Sequence, residues 1–137
     1  MRTEVKNDSD INRLMEEYGG FHDTCIVSVS YRSGASVDEK GAMRDGNADE
    51  HALLLVLHSQ WSKPIELTFS GVRAVQIAGF RERYFCNIDE AYIAFRTDLL
   101  GKTRDDRLIV WADWGDLNDK DCTCVIAEKM YWEISDK

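Results

Sequence analysis

Two apolar, aromatic runs separated by a short acidic loop constrain this chain more than any other feature. The first is Leu108-Ile109-Val110-Trp111-Ala112-Asp113-Trp114, and the second runs from Cys122 and Cys124 through Val125, Ile126, Ala127 and Met130 to Trp132. The loop between them carries Gly115, Asp116, Asp119 and Asp121. Runs of β-branched and aromatic residues bounded by polar turn residues specify a β-hairpin. Three of the four tryptophans and two of the four cysteines lie in this hairpin, so an antiparallel sheet built on it must supply much of the core.

The same alternation recurs upstream. Cys25, Val27, Val29 and Tyr31 alternate with Ile26, Ser28, Ser30 and Arg32, the period of a half-buried strand. A weaker strand is expected around Ala35 to Met43. His51 to His58 is rich in Leu and Val at odd and even positions alike, which predicts a central strand covered on both faces. Pro64 opens a strand in which Ile65, Leu67 and Phe69 face inward, and Gly71 is expected to bend the chain into a further strand over Val72 to Ile77. Before all of these, Asp8 or Ser9 caps a short helix with Ile11, Leu14, Met15 and Tyr18 on one face, and Gly19-Gly20 ends it.

One segment fits two readings. Ile88, Ala91, Tyr92, Phe95 and Leu99 match a helical face, with Asn87 and Glu90 as a capping box. Ala91 to Thr97 equally alternates, and pairs across a turn at Gly101 to Asp106 with Arg107 to Trp114. The length and composition of that turn favour the strand. The expected fold is α+β and mainly β: an antiparallel sheet or curved meander of about eight strands with a short N-terminal helix. With 137 residues the chain is expected to form a single domain, residues 1–137, which needs neither metal nor disulfide to fold.

The formal charge is −8, with 6 basic and 11 acidic groups in residues 1–50. Such a surface repels a phosphate backbone, which argues against nucleic acid and for a basic partner. The longest apolar run, Ala52 to Leu57, is far short of the roughly 18 residues of a membrane span. The N-terminus has no apolar stretch of the secretory kind. These features predict a cytoplasmic protein without membrane attachment, whose four cysteines are reduced thiols. Cys122 and Cys124 are spaced to share one strand face, but the further ligands that zinc requires are not in a matching motif, so no metal or cofactor is expected.

Candidate functional residues fall into two groups. Phe21-His22-Asp23 sits where the helix meets the first strand, and His22 has the titration range of an acid–base group. If the strand has already begun, Asp23 points away from His22. A turn is favoured, in which Asp23 binds backbone N–H groups and His22 fastens the helix. The second group is the hairpin: Asp113 between Trp111 and Trp114 is a carboxylate in a strand pattern, where it needs a partner or a role. Asp116, Asp119 and Asp121 lack the glycine and glutamate of a calcium loop and read as solvated acids able to meet a partner. Arg73, Arg81, Arg83 and Arg96 are expected to pair with surplus carboxylates. His51 and His58, seven apart on one strand, point to opposite faces.

The short patterns Phe21-His22-Asp23, Ile26-x-x-Val29-x-Tyr31, Ile65-x-Leu67-x-Phe69-x-Gly71-Val72, Ile109-x-Trp111-x-Asp113 and Ala127-x-x-Met130-x-Trp132 together resemble a family of small bacterial proteins. Some of that family are similar to the immunity proteins of polymorphic toxin systems. The resemblance spans roughly residues 21–134, implies an inhibitor that binds a toxin, and carries over no active residues. It leaves the Cys122-x-Cys124 pair unexplained. Three functions are therefore expected in order: a non-enzymatic binder of a basic toxin through an acidic surface, a small enzyme using His22 and Asp113 with His58, and a homodimeric structural module.

Overall fold

The computed structural model describes residues 2–79, 86–99 and 107–135. The elements in chain order are β1 (Thr3–Glu4), α1 (Asp8–Glu17), β2 (Thr24–Arg32), β3 (Ser36–Val37), β4 (Met43–Arg44), β5 (Ala52–Ser59), β6 (Ile65–Gln76), β7 (Tyr92–Arg96), β8 (Leu108–Ala112) and β9 (Cys124–Ile134). All pairing is antiparallel, and the main sheet has the order β2-β5-β6-β9-β8-β7 with β1 also on β9. This is the expected mainly β architecture with one N-terminal helix.

The hairpin that the aromatic runs specify is β8 against β9, with Trp111 opposite Val125 and Ala112 opposite Cys124. Every residue of β8 is buried. Its alternate residues serve two clusters: Ile109 and Trp111 face the main core, while Leu108, Val110 and Ala112 join Cys122, Cys124 and Ile126 on the opposite face. A strand that is apolar at every position is thus covered on both sides. The ambiguous segment resolves as the strand β7, which pairs Tyr92 with Ala112 and Arg96 with Leu108. The turn expected at Gly101 to Asp106 lies outside the described residues.

The main core fills the space between α1 and the inner sheet face. Leu14, Phe21, Leu55, Leu57, Ile65, Leu67, Phe69 and Trp111 are fully shielded from solvent. Asn7, rather than Asp8 or Ser9, caps α1, and its side-chain oxygen accepts the Asp10 N–H at 2.9 Å. Asp8 and Asp10 instead occupy the first turn, where carboxylates oppose the positive end of the helix dipole. Tyr18, at the other end, donates its hydroxyl to the Lys63 carbonyl, and burial pushes its pKa up to about 12.

Three local expectations are corrected. The weak strand at Ala35 to Met43 is two two-residue strands, β3 and β4, joined by a turn that the Asp38 carboxylate fastens through the Lys40 and Ala42 N–H groups. β5 is central but covered on one face only: Leu53, Leu55 and Leu57 are buried, whereas Leu54 and Val56 are half-buried opposite Ser30 and Ser28. Gly71 does not divide two strands. β6 continues through it, and the bend is a bulge in which Val72 and Ala74 oppose the adjacent Ala127 and Ile126.

The bulge depends on glycine twice over. Gly71 has φ +64°, and a Cβ there would lie 2.0 Å from the Glu128 Oε2. Glu128 is held in place by Arg73, Nη2 to Oε1 2.9 Å. Gly71→Ala is therefore expected to destabilise the fold by about 1–3 kcal/mol. A shift of the urea midpoint measures it, and an unchanged midpoint would contradict this account.

Candidate functional site

The connection between α1 and β2 is the most contorted part of the described backbone. Gly19, Gly20, Phe21 and Asp23 all have positive φ, at 58°, 66°, 63° and 58°. Left-handed backbone is uncommon for Asp and costly for Phe, and such strain persists where surrounding contacts enforce it. Here the enforcing contacts are visible. Phe21 is wholly buried, edge-on to Trp111 with centroids 5.9 Å apart and 5.2 Å from Tyr18. The Asp23 N–H donates to the Ile88 carbonyl at 2.9 Å, and the Ile88 N–H returns to the Thr24 carbonyl at 2.7 Å.

This contortion turns His22 outward and sets it between two aspartates. Its Nδ1 donates to the Asp89 carbonyl at 2.8 Å, and its Nε2 lies 3.4 Å from the Asp23 carboxylate. The turn is as expected, but its bonds are not. Asp23 accepts from the Trp61 indole Nε1 at 2.9 Å rather than from backbone N–H groups, and His22 is tied to Asp89 rather than to the helix. Because Asp23 precedes the strand, it can partner the neighbouring histidine after all. The Asp89 carbonyl, followed by the Asp23 carboxylate, raises the His22 pKa above its ordinary value.

Two clefts flank this turn. One, of about 620 Å³, is lined by Asn12, Glu16, Gly20, His22, Asp89 and Glu90 among others. The other, of about 450 Å³, is lined on the strand side by Asp23, Cys25, His58, Gln60 and Cys86 among others. Asp113 lines neither. His22, His58 and Asp113, the acid–base candidates, are thus engaged in three different places. His51 is half-buried just before β5, and His58 is exposed at its far end.

Asp113 belongs to the closure of the β8–β9 hairpin. Strand pairing ends formally at Ala112, yet the Asp113 N–H donates to the Thr123 carbonyl at 3.0 Å. Its carboxylate accepts the Thr123 N–H, also at 3.0 Å. Trp111 lies at the centre of the main core, and among the described residues its Nε1 meets no acceptor. Trp114 is 44% exposed. Cys122 and Cys124 are free thiols buried in the second apolar cluster. Burial, and then the Asp113 charge, raise both thiol pKa values, that of Cys122 to about 12.

The acidic loop is ordered by its own side chains. Asp116 accepts the Asn118 N–H at 3.1 Å and Asp119 accepts the Asp121 N–H at 2.8 Å, so both form Asx turns. Gln76, at the end of β6, donates its amide to the carbonyls of Asp119 (2.9 Å) and Cys122 (2.6 Å), pinning the loop to the sheet. Arg73 and Arg96 pair with Glu128 and Asp98 as expected of surplus charge, while Arg81 and Arg83 lie outside the described residues. Among the described residues no group of three or more His, Cys, Asp or Glu is arranged to hold a metal ion, and no helix is long and apolar enough to cross a membrane.

Sequence reasoning did not anticipate Trp61, Asp89, Cys25 or Cys86 at the His22–Asp23 turn. Asn87 and Asp89 sit in the segment whose helix and strand patterns competed, and the bridge from Thr24 to Ile88 joins residues far apart in the chain. Comparison with protein-family models, curated proteins and solved structures finds no match for this chain.

Two outcomes test this geometry. In an NMR titration His22 should have a pKa above the ordinary 6.5, and Asp23→Asn should lower it only in part, because the Asp89 carbonyl remains. A folded value above the unfolded one means that this stabilisation is complete below pH 6.5 and fades as pH rises through the folded pKa. Asp113→Ala leaves the buried Thr123 N–H without its carboxylate acceptor and should cost about 1–3 kcal/mol in urea unfolding. Asp113→Asn, which keeps an acceptor oxygen, should cost less.

Proposed function

We propose that this chain is a non-enzymatic binding protein that captures a basic protein partner, of the kind exemplified by a toxin and its immunity protein, through an acidic end of the sheet. The observation that carries the reading is the preorganised β8–β9 loop. It presents a part-exposed tryptophan, Trp114, beside Asp116, Asp119 and Asp121, with its backbone pinned by Gln76. The register Tyr92 opposite Ala112 puts Asp89 and Glu90 at that same end of the sheet, which extends the acidic surface toward His22.

Carboxylates on one face accelerate encounter with a cationic partner and orient it, an effect that salt weakens. A tryptophan on a loop that is already fixed supplies contact area at small entropic cost, which is how a few aromatic residues come to dominate an interface. The partner's cationic cleft would be filled or electrostatically blocked. A cytoplasmic location and the toxin class of the partner belong to this proposal.

The test is co-expression with the basic toxin-like proteins encoded beside the gene, followed by binding kinetics with the purified pair. Binding and restored growth are expected. The triple substitution Asp116→Asn, Asp119→Asn, Asp121→Asn preserves the turn acceptors while removing three charges. It should slow association by about tenfold at low salt and flatten its salt dependence. Trp114→Ala should weaken affinity by about tenfold or more, chiefly through faster dissociation. If no such neighbour is bound or neutralised, the reading fails.

A further inference from the structure

We propose that Cys25 and Cys86 form a reactive dithiol that is oxidised to a disulfide by a low-molecular-weight disulfide of the glutathione class, admitted through the cleft beside His58. The two cysteines are remote in sequence but line the same cleft of about 450 Å³. The antiparallel bridge between Thr24 and Ile88 brings them there, closed by the bonds Ile88 N to Thr24 O (2.7 Å) and Asp23 N to Ile88 O (2.9 Å). Cys25 is half-buried at the start of β2 and Cys86 is exposed, and both are free thiols. Cys86 is near enough to Cys25 to act on it electrostatically.

The chemistry follows from access. Cys86 is the thiol an incoming disulfide meets first. Its thiolate attacks one sulfur of the reagent, forms a mixed disulfide and releases one reagent thiolate. Cys25 is the poorer first attacker, because burial, and next the Cys86 charge, raise its pKa. Once Cys86 is bound in the mixed disulfide its negative charge is gone, and Cys25 ionises more readily. The Cys25 thiolate then attacks the Cys86 sulfur and expels the second reagent thiolate. The two protons lost by the protein are taken up by the two released thiolates, so one reagent disulfide is reduced as one protein disulfide forms. Cys122 and Cys124 are excluded from this reaction by burial.

The experiment treats the reduced full-length chain with oxidised glutathione and reads intact mass and peptide maps. The expected product has lost two hydrogen atoms and yields a Cys25–Cys86 cross-linked peptide, with Cys122 and Cys124 alkylated only after denaturation. The oxidised chain should melt roughly 5 °C or more above the reduced one, since the cross-link closes a long loop. C25S should stop at a stable glutathione adduct on Cys86, and C86S should react far more slowly. The map of the unsubstituted chain stands whether or not a variant folds. A persistent glutathione adduct on Cys86 in that chain, a cross-link through Cys122 or Cys124, or no reaction would each overturn the proposal.

Discussion

Strand β9 is the member on which the rest of the sheet depends. Its eleven residues pair with β6 from Cys124 to Ile134 along one side. The other side is shared between β8, at Cys124 to Ala127, and β1, at Tyr131 and Trp132, with Val5 bonding the Met130 carbonyl between them. Both halves of the molecule are therefore joined through one ladder. Its inward residues Val125, Ala127, Met130 and Trp132 belong to the main core. A ladder this long accumulates twist, and the bulge after Gly71 increases the local twist where the sheet changes from one covered face to two. Before the bulge the partners of Glu66 and Thr68 are Glu133 and Tyr131, none of them fully buried. After it Ala74 meets Ile126 in the second apolar cluster.

That change explains which strands were legible in the sequence. Where one face is solvated, as in Ile65 to Ser70, the period of two is plain and the inward residues can be named in advance. Where both faces are covered, as in Leu108 to Ala112, the run is uniformly apolar and reads as a buried strand. β5 looked like the second kind and is the first, because Leu54 and Val56 sit half-covered between serine, threonine and glutamate neighbours on β2 and β6. Composition alone does not distinguish an apolar residue under a second layer from one shielded by neighbouring side chains. The sheet order was not legible, since β6 pairs with β9 rather than with the next strand in the chain.

The candidate site divides in the same manner. His22 and Asp23 stand out from the residue types and from the junction they occupy. Their partners Asp89, Trp61 and Ile88 come from distant segments, and the positive φ of Phe21 and Asp23 exists only because those segments pack against the turn. Local propensity opposes that backbone, so no local pattern predicts it. Asp113 was conspicuous for a sound reason, being a carboxylate among tryptophans. Its structural use, an acceptor for Thr123 across the hairpin, also needs the pairing to be known.

The hairpin acids differ from one another in a way that bears on the proposed recognition. Asp113 directs a carboxylate oxygen at a buried N–H and helps to hold the strands together. Asp116 and Asp119 use one oxygen each on N–H groups of their own loop, which fixes the side-chain direction before any partner arrives. A carboxylate has acceptor capacity beyond a single bond, so fastening the turn leaves each side chain able to receive a cationic donor. Ordering that is already complete in the free protein is not charged again on association. A freely rotating acidic tail of equal charge would attract the same partner but would lose its rotamer freedom on contact. The Asx turns and the Gln76 anchor thus convert net charge into a fixed arrangement of charge, and in the binding function proposed above it is the fixed arrangement that would discriminate between partners.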